Sequence, residues 1–170
     1  DIYRQSQASF LAYEGGILLC PTNLARLVAI DPLTRCVLWH YPYAESNSQS
    51  MQQFAPMQFI QPPTGSFAVD PPAVAEGRVV LTSSQGNVIH CLDLQTGRPY
   101  WRTDRDGAKY LAGVFSGHVI VVAADHVRSH RLQDGAREWK QKGSLPSGRG
   151  ISVGGTLYLP QANGGIQVVE

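Results

Sequence analysis

The chain has 170 residues, enough for one ordinary domain with a real core. Charged residues make up 16%, and 17 glycines and 11 prolines punctuate the sequence, a mix that favours short strands and tight turns over long helices. The formal net charge of +1 supplies no global field for nucleic acid or an acidic membrane, and no apolar run approaches the ~20 residues of a bilayer span.

The first residue is Asp1 and the last Glu170, so the chain reads as a piece of something longer, and a missing signal peptide means little. In chain order, residues 13–41 (YEGGILLCPTNLARLVAIDPLTRCVLWHY) open with a Gly turn. An apolar run follows, then a polar loop, a second apolar run, a turn and Trp39. Residues 75–103 (AEGRVVLTSSQGNVIHCLDLQTGRPYWRT) repeat the order and end near Trp101. Residues 115–141 (FSGHVIVVAADHVRSHRLQDGAREWKQ) repeat it again with Trp139. A fourth copy begins at 153–170 (VGGTLYLPQANGGIQVVE). Such self-similarity marks a repeat architecture.

Each copy predicts one four-stranded antiparallel blade, A to D. Runs such as Val79–Leu81 and Val88–Leu92 have strand length and β-branched content. Leu94-Gln95-Thr96-Gly97 is a short hairpin loop in which Gly97 takes the left-handed conformation and Asp93 and Thr96 cap free N–H groups. Trp101 carries more apolar surface than one thin blade can cover, so it belongs between blades. The structural repeat positions are Asp31, Trp39, Asp93, Gly97, Trp101, Gly135 and Trp139. Copy one departs from the pattern, with Arg35 where Gly97 stands, so either its turn is of another type or Arg35→Gly stabilises. In copy three Arg131 replaces the Asp, while Asp134-Gly135 keeps the turn.

These residues resemble the PQQ-like β-propeller repeats of bacterial quinoprotein dehydrogenases and of the periplasmic lipoprotein that assists outer-membrane protein assembly. The carriers are Ala29-Ile30-Asp31…Trp39 and Leu92-Asp93…Thr96-Gly97…Trp101. The stretches YLAGVFSGHVIVV, LPSGRG and TLYLP look like large planctomycete-type repeat proteins without known activity. The resemblance implies an all-β propeller segment of about three and a half to four blades, and a periplasmic or cell-surface location. Taken as one segment over 1–170, the blades fall at about 1–43, 68–105, 107–142 and, incomplete, 149–170. Four blades sit at the low end for a closed ring. The rest of a longer chain, or a second copy, is expected to complete it.

Residues 44–68 are an inserted crossover from strand D to the next strand A. They separate Trp39 from Trp101 by 62 residues, against 38 between Trp101 and Trp139. The insertion holds five Gln, both Met, three Phe and a single charge, Glu45. Met51, Gln52, Gln53, Phe54, Met57 and Phe59 are the candidate partner-binding surface, on the face shared by crossovers and B–C loops. The alternative is a floppy excursion, or packing over a blade edge.

Other candidates carry less. Cys20, Cys36 and Cys91 form no CxxC and read as small hydrophobes. His118, His126 and His130 read as exposed strand histidines, the last two ~13 Å apart and too far for one ion. LPSGRG (145–150) lacks a Walker Lys, no GxSxG exists, and Arg26, Arg78 and Arg128 make no stripe. No cofactor is expected in this segment. A quinoprotein site is implied by the resemblance to need calcium-binding acids and a stacking Trp, whereas all three tryptophans here hold repeat positions. The reading is therefore a non-catalytic scaffold for a protein, peptide or polysaccharide partner. The alternatives are part of a quinoprotein dehydrogenase, or a purely architectural domain.

Overall fold

A computed structural model describes residues 10–22, 25–43, 70–82 and 87–169. The described residues form strands and no helix. Blade one is β1 (Ala12–Glu14), β2 (Ile17–Pro21), β3 (Arg26–Asp31) and β4 (Cys36–Pro42), paired in that order. Blade two is β5 (Ala73–Ala75), β6 (Arg78–Thr82), β7 (Val88–Asp93) and β8 (Pro99–Asp104). Blade three is β9 (Tyr110–Phe115), β10 (His118–Val122), β11 (His126–Arg131) and β12 (Arg137–Lys142). Blade four has β13 (Ile151–Val153), β14 (Thr156–Pro160) and β15 (Ile166–Val169). Every pairing is antiparallel. This is a partial β-propeller.

The period-2 geometry of strands explains why the runs look continuously apolar. Val79 and Leu81 pack with Leu19, Leu27 and Ala29 of blade one. Val80, Ile89 and Cys91 point the other way, against Val119, Val121 and Leu132 of blade three. Ile120, Val122 and Val127 meet Leu157, Leu159 and Val169 of blade four. Strands β6, β7, β10 and β11 are covered on both faces, so alternation gives no polar side. This overturns the expectation that the histidines of blade three are exposed. His126 and His130 are buried and His118 is half-buried. Of the cysteines, Cys91 is buried, Cys20 half-buried and Cys36 exposed, and all three are free thiols.

A bulge recurs in the C–D pairing of all three complete blades. The register shifts between Ala29 and Ile30, between Cys91 and Leu92, and between Ser129 and His130. The extra residue is Leu38, Tyr100 or Glu138, and the tryptophan follows it directly. Each tryptophan then lies opposite a small residue, Ala29, Cys91 or Ser129. A bulge increases local twist and re-aims the next side chain.

The turn before each bulge is built the same way. Asp93 Oδ1 accepts from the N–H of Gln95 at 3.1 Å, and from the N–H and hydroxyl of Thr96 at 2.7 Å each. Asp31 accepts from Leu33 N–H at 2.8 Å and the Thr34 hydroxyl at 2.7 Å. In blade three Asp134 takes over, accepting from Arg131 Nε and Ala136 N–H, both at 3.0 Å. Arg35 has φ of +59°, close to the +69° of Gly97 and +74° of Gly135. The alternative of a different turn type is thus overturned: the Asp31–Thr34 bonds hold Arg35 in the left-handed region. Arg35→Gly is expected to raise stability by about 1 kcal/mol, read as a higher Tm in a thermal melt.

Candidate functional site

The tryptophans join the blades. Trp39 Nε1 donates to Leu94 O of the next blade at 3.0 Å, and Trp101 Nε1 donates to Leu132 O at 2.8 Å. Each ring lies against a turn glycine. A Cβ on Gly97 would sit 2.6 Å from the Trp39 ring, and one on Gly135 would sit 2.6 Å from the Trp101 ring. Gly97 and Gly135 thus answer two demands, a positive φ and a flat neighbour. Trp139 stands at the same place in blade three, beside blade four.

On the face that carries the crossovers, Asp70 ties three blades together. Its carboxylate is buried before β5 and accepts from the Thr82 hydroxyl at 2.6 Å and Leu111 N–H at 2.9 Å. Arg149 donates to it at 2.8 Å, and Arg105 lies 3.6 Å away. The Arg149 guanidinium sits 5.3 Å from the centre of the Tyr110 ring. Arg105 also donates to Lys109 O. Burial works against the charge of Arg105, and Asp70 works for it. A second tie is Arg128, fully buried, which donates to Asp106 Oδ2 and to Arg105 O, both at 2.5 Å. These groups fix where each crossover leaves its blade. Asp70 already accepts from several donors, so the node is a clamp.

His90 lies between blades one and two, with Tyr41 hydroxyl 3.1 Å from Nδ1 and the Tyr43 ring alongside. Burial, helped by the charge of Arg102, lowers its pKa from 6.5 to about 4. The unfolded chain therefore binds a proton between those values that the folded chain does not. The stabilising effect is fully present above pH 6.5 and is lost as pH falls toward 4. The loss at the low end is on the order of 3 kcal/mol. His90→Leu is expected to flatten this part of a Tm-against-pH profile, relative to the unsubstituted chain.

Met51, Gln52, Gln53, Phe54, Met57 and Phe59 lie outside the described residues, as does the rest of the proposed 44–68 loop. Asp31, Trp39, Asp93, Gly97, Trp101, Gly135 and Trp139 fall at the turns and wedges described above. The sequence reading missed Asp70, Arg105, Arg128 and Arg149. Their only local signal is a charge beside a strand or, for Arg128, inside β11, which many surface residues share. Among the described residues no group of three or more His, Cys, Asp or Glu is placed to hold a metal ion.

No curated protein matches the chain in sequence. Among solved structures, BamB from Moraxella catarrhalis superposes with a TM-score of 0.58 at 17% identity, covering 85% of this chain and 40% of that one. The computationally designed Ika4 protein gives 0.68 at 15% identity, covering 98% and 92%. Quinohemoprotein alcohol dehydrogenase from Comamonas testosteroni gives 0.54 at 18% identity, covering 78% and 20%. At such identities the likeness shows the fold alone. The chain spans less than half the length of the Moraxella BamB and a fifth of the Comamonas enzyme. A family profile described as outer membrane protein assembly factor BamB matches residues 50–170. The chain therefore belongs to that family of PQQ-type propeller repeat proteins.

Proposed function

We propose that this chain is a non-catalytic propeller scaffold of an exported bacterial protein, which binds a protein, peptide or polysaccharide partner at the periplasm or cell surface. The observation that carries this reading is how the buried polar groups are used. Asp70, Arg105 and Arg128 are spent on bonds that lock blade to blade. The family description, an outer membrane protein assembly factor, supports a protein partner and an exported setting. A quinone–calcium site fits these residues poorly. Trp39 and Trp101 have their faces against glycines, Trp139 is on the outer strand β12, and Asp70 already accepts from several donors.

The test is a binding panel against the immobilised chain: unfolded outer-membrane-protein peptides, periplasmic polysaccharides, and pyrroloquinoline quinone with calcium. Saturable binding of a peptide or polysaccharide is expected, with no rise in Tm from the quinone. A ligand at a hundredfold its Kd adds about 2.7 kcal/mol to stability. A clear Tm rise with quinone and calcium, or a panel with no saturable binder, sinks the proposal.

A further inference from the structure

We infer that the outer edge of β12 accepts an extended acidic polypeptide, whose carboxylates at alternate positions meet Lys140 and Lys142. The inference rests on the scaffold reading above, to which it adds the chemistry and the place of one partner. Blades two and three, which form this part of the rim, are both complete four-stranded sheets packed against each other.

The three outer strands differ at two equivalent positions after the tryptophan. In blade three the register sets Lys140 opposite Arg128 and Lys142 opposite His126. In blade two the corresponding pair is Arg102, opposite His90, and Asp104, opposite Val88. In blade one it is His40, opposite Val28, and Pro42, opposite Arg26. The pair in blade two has opposite signs, and Pro42 has no N–H to offer an added strand. Of these three blades, the third alone sets two cations there.

The two lysines are not balanced from within. Both are exposed, and neither forms an ion pair among the described residues. The acids at this end of the two blades are engaged elsewhere. Asp104 Oδ1 accepts from Asn87 Nδ2 at 2.5 Å and from Asp106 N–H at 2.7 Å. Asp106 Oδ2 accepts from Arg128 at 2.5 Å and Arg137 at 3.2 Å, and Asp125 lies 2.5 Å from His126 Nδ1. Arg128, opposite Lys140, is itself a fully buried cation whose Nε has no acceptor. Like charges directly opposite each other are destabilising. Lysine on an edge strand also guards against unwanted pairing. At the other two rims Pro42 or a mixed pair meets that need, and it does not call for a cation beside a cation. A partner that supplies carboxylates accounts for the surplus. Among the described residues β12 pairs with β11 alone, so its outer ladder groups face away from the sheet. A strand added to that edge carries every second side chain on one face, about 6.6 Å apart, which is also the spacing of Lys140 and Lys142. Acids at alternate positions of the added strand therefore fall beside both lysines.

The probe is a dye-labelled synthetic peptide, Thr-Glu-Val-Glu-Val-Glu-Thr, titrated with the folded chain at low salt. Saturable binding is expected by fluorescence anisotropy, weakening as added salt screens the pairs. The same peptide with glutamine for every glutamate is expected to bind at least tenfold more weakly, a comparison that leaves the protein untouched. The protein carrying both Lys140→Glu and Lys142→Glu is expected to lose at least tenfold in affinity for the glutamate peptide. A Tm no lower than that of the unsubstituted chain shows that this variant is folded. Amide hydrogen exchange along β12 is expected to slow at saturation. Absent binding, equal affinity for the glutamate and glutamine peptides, a folded lysine variant that binds as before, or unchanged exchange along β12 overturns the proposal. So does polygalacturonate binding that is tighter than the peptide's and is lost in the lysine variant, which would give the rim to an anionic polysaccharide. The scaffold reading stands or falls separately, on the panel of peptides, polysaccharides and quinone.

Discussion

Gly97→Ala is expected to destabilise the chain by about 3 kcal/mol, a large effect for one methyl group. A positive φ of +69° costs an L side chain about 1 kcal/mol. The new Cβ, 2.6 Å from the Trp39 ring, then forces the wedge outward, and overpacking of this kind adds roughly 1–3 kcal/mol. Urea denaturation measures the sum. A double-mutant cycle separates the parts: with Trp39→Ala already made, Gly97→Ala should cost only about 1 kcal/mol, because the ring it strikes is gone. Full additivity would mean that the wedge is not what the glycine serves. Gly135→Ala should behave the same way with Trp101 as its partner.

Asp70→Ala should cost about 3–5 kcal/mol, the range for breaking a buried charged network on one side. The substitution takes the acceptor from the Thr82 hydroxyl and from the N–H of Leu111 on β9, and removes the charge facing Arg149. Asp70→Asn keeps an acceptor oxygen and should lose less. Thermal melts give the size, and hydrogen exchange at the Leu111 amide gives the place. A loss under about 1 kcal/mol would show that blades two, three and four are held by their apolar faces alone, as for an exposed pair.

The blades were legible because their signals are local. Asp93, Thr96 and Gly97 sit within one turn, and the strand before them alternates toward two covered faces. Tryptophan at a fixed distance from that turn is equally local. What was not legible depends on partners far away in sequence. Asp70 meets Leu111 and Arg149 across two blades, and no spacing rule links them. The bulge at Leu38, Tyr100 and Glu138 has no composition of its own, since an aliphatic, an aromatic and an acid all occupy it. Burial of His126 and His130 follows from a blade covered on both sides, which alternation within a single strand does not reveal. Arg35 was seen as a misfit, but its φ is imposed by Asp31 and Thr34, and side-chain preference alone pointed the other way.

Trp39 and Trp101 both reach forward to the next blade, and that gives the row of blades a direction. A duplicated segment one blade long, inserted between blades two and three, would bring an indole for its successor and a glycine turn for its predecessor. Nothing new has to be invented at either junction. Lineages can therefore gain or lose blades in whole steps. A duplication cut between the turn and its tryptophan would leave one orphan of each. Blade one departs from the pattern at one point, since Arg35 stands where the other two turns have glycine.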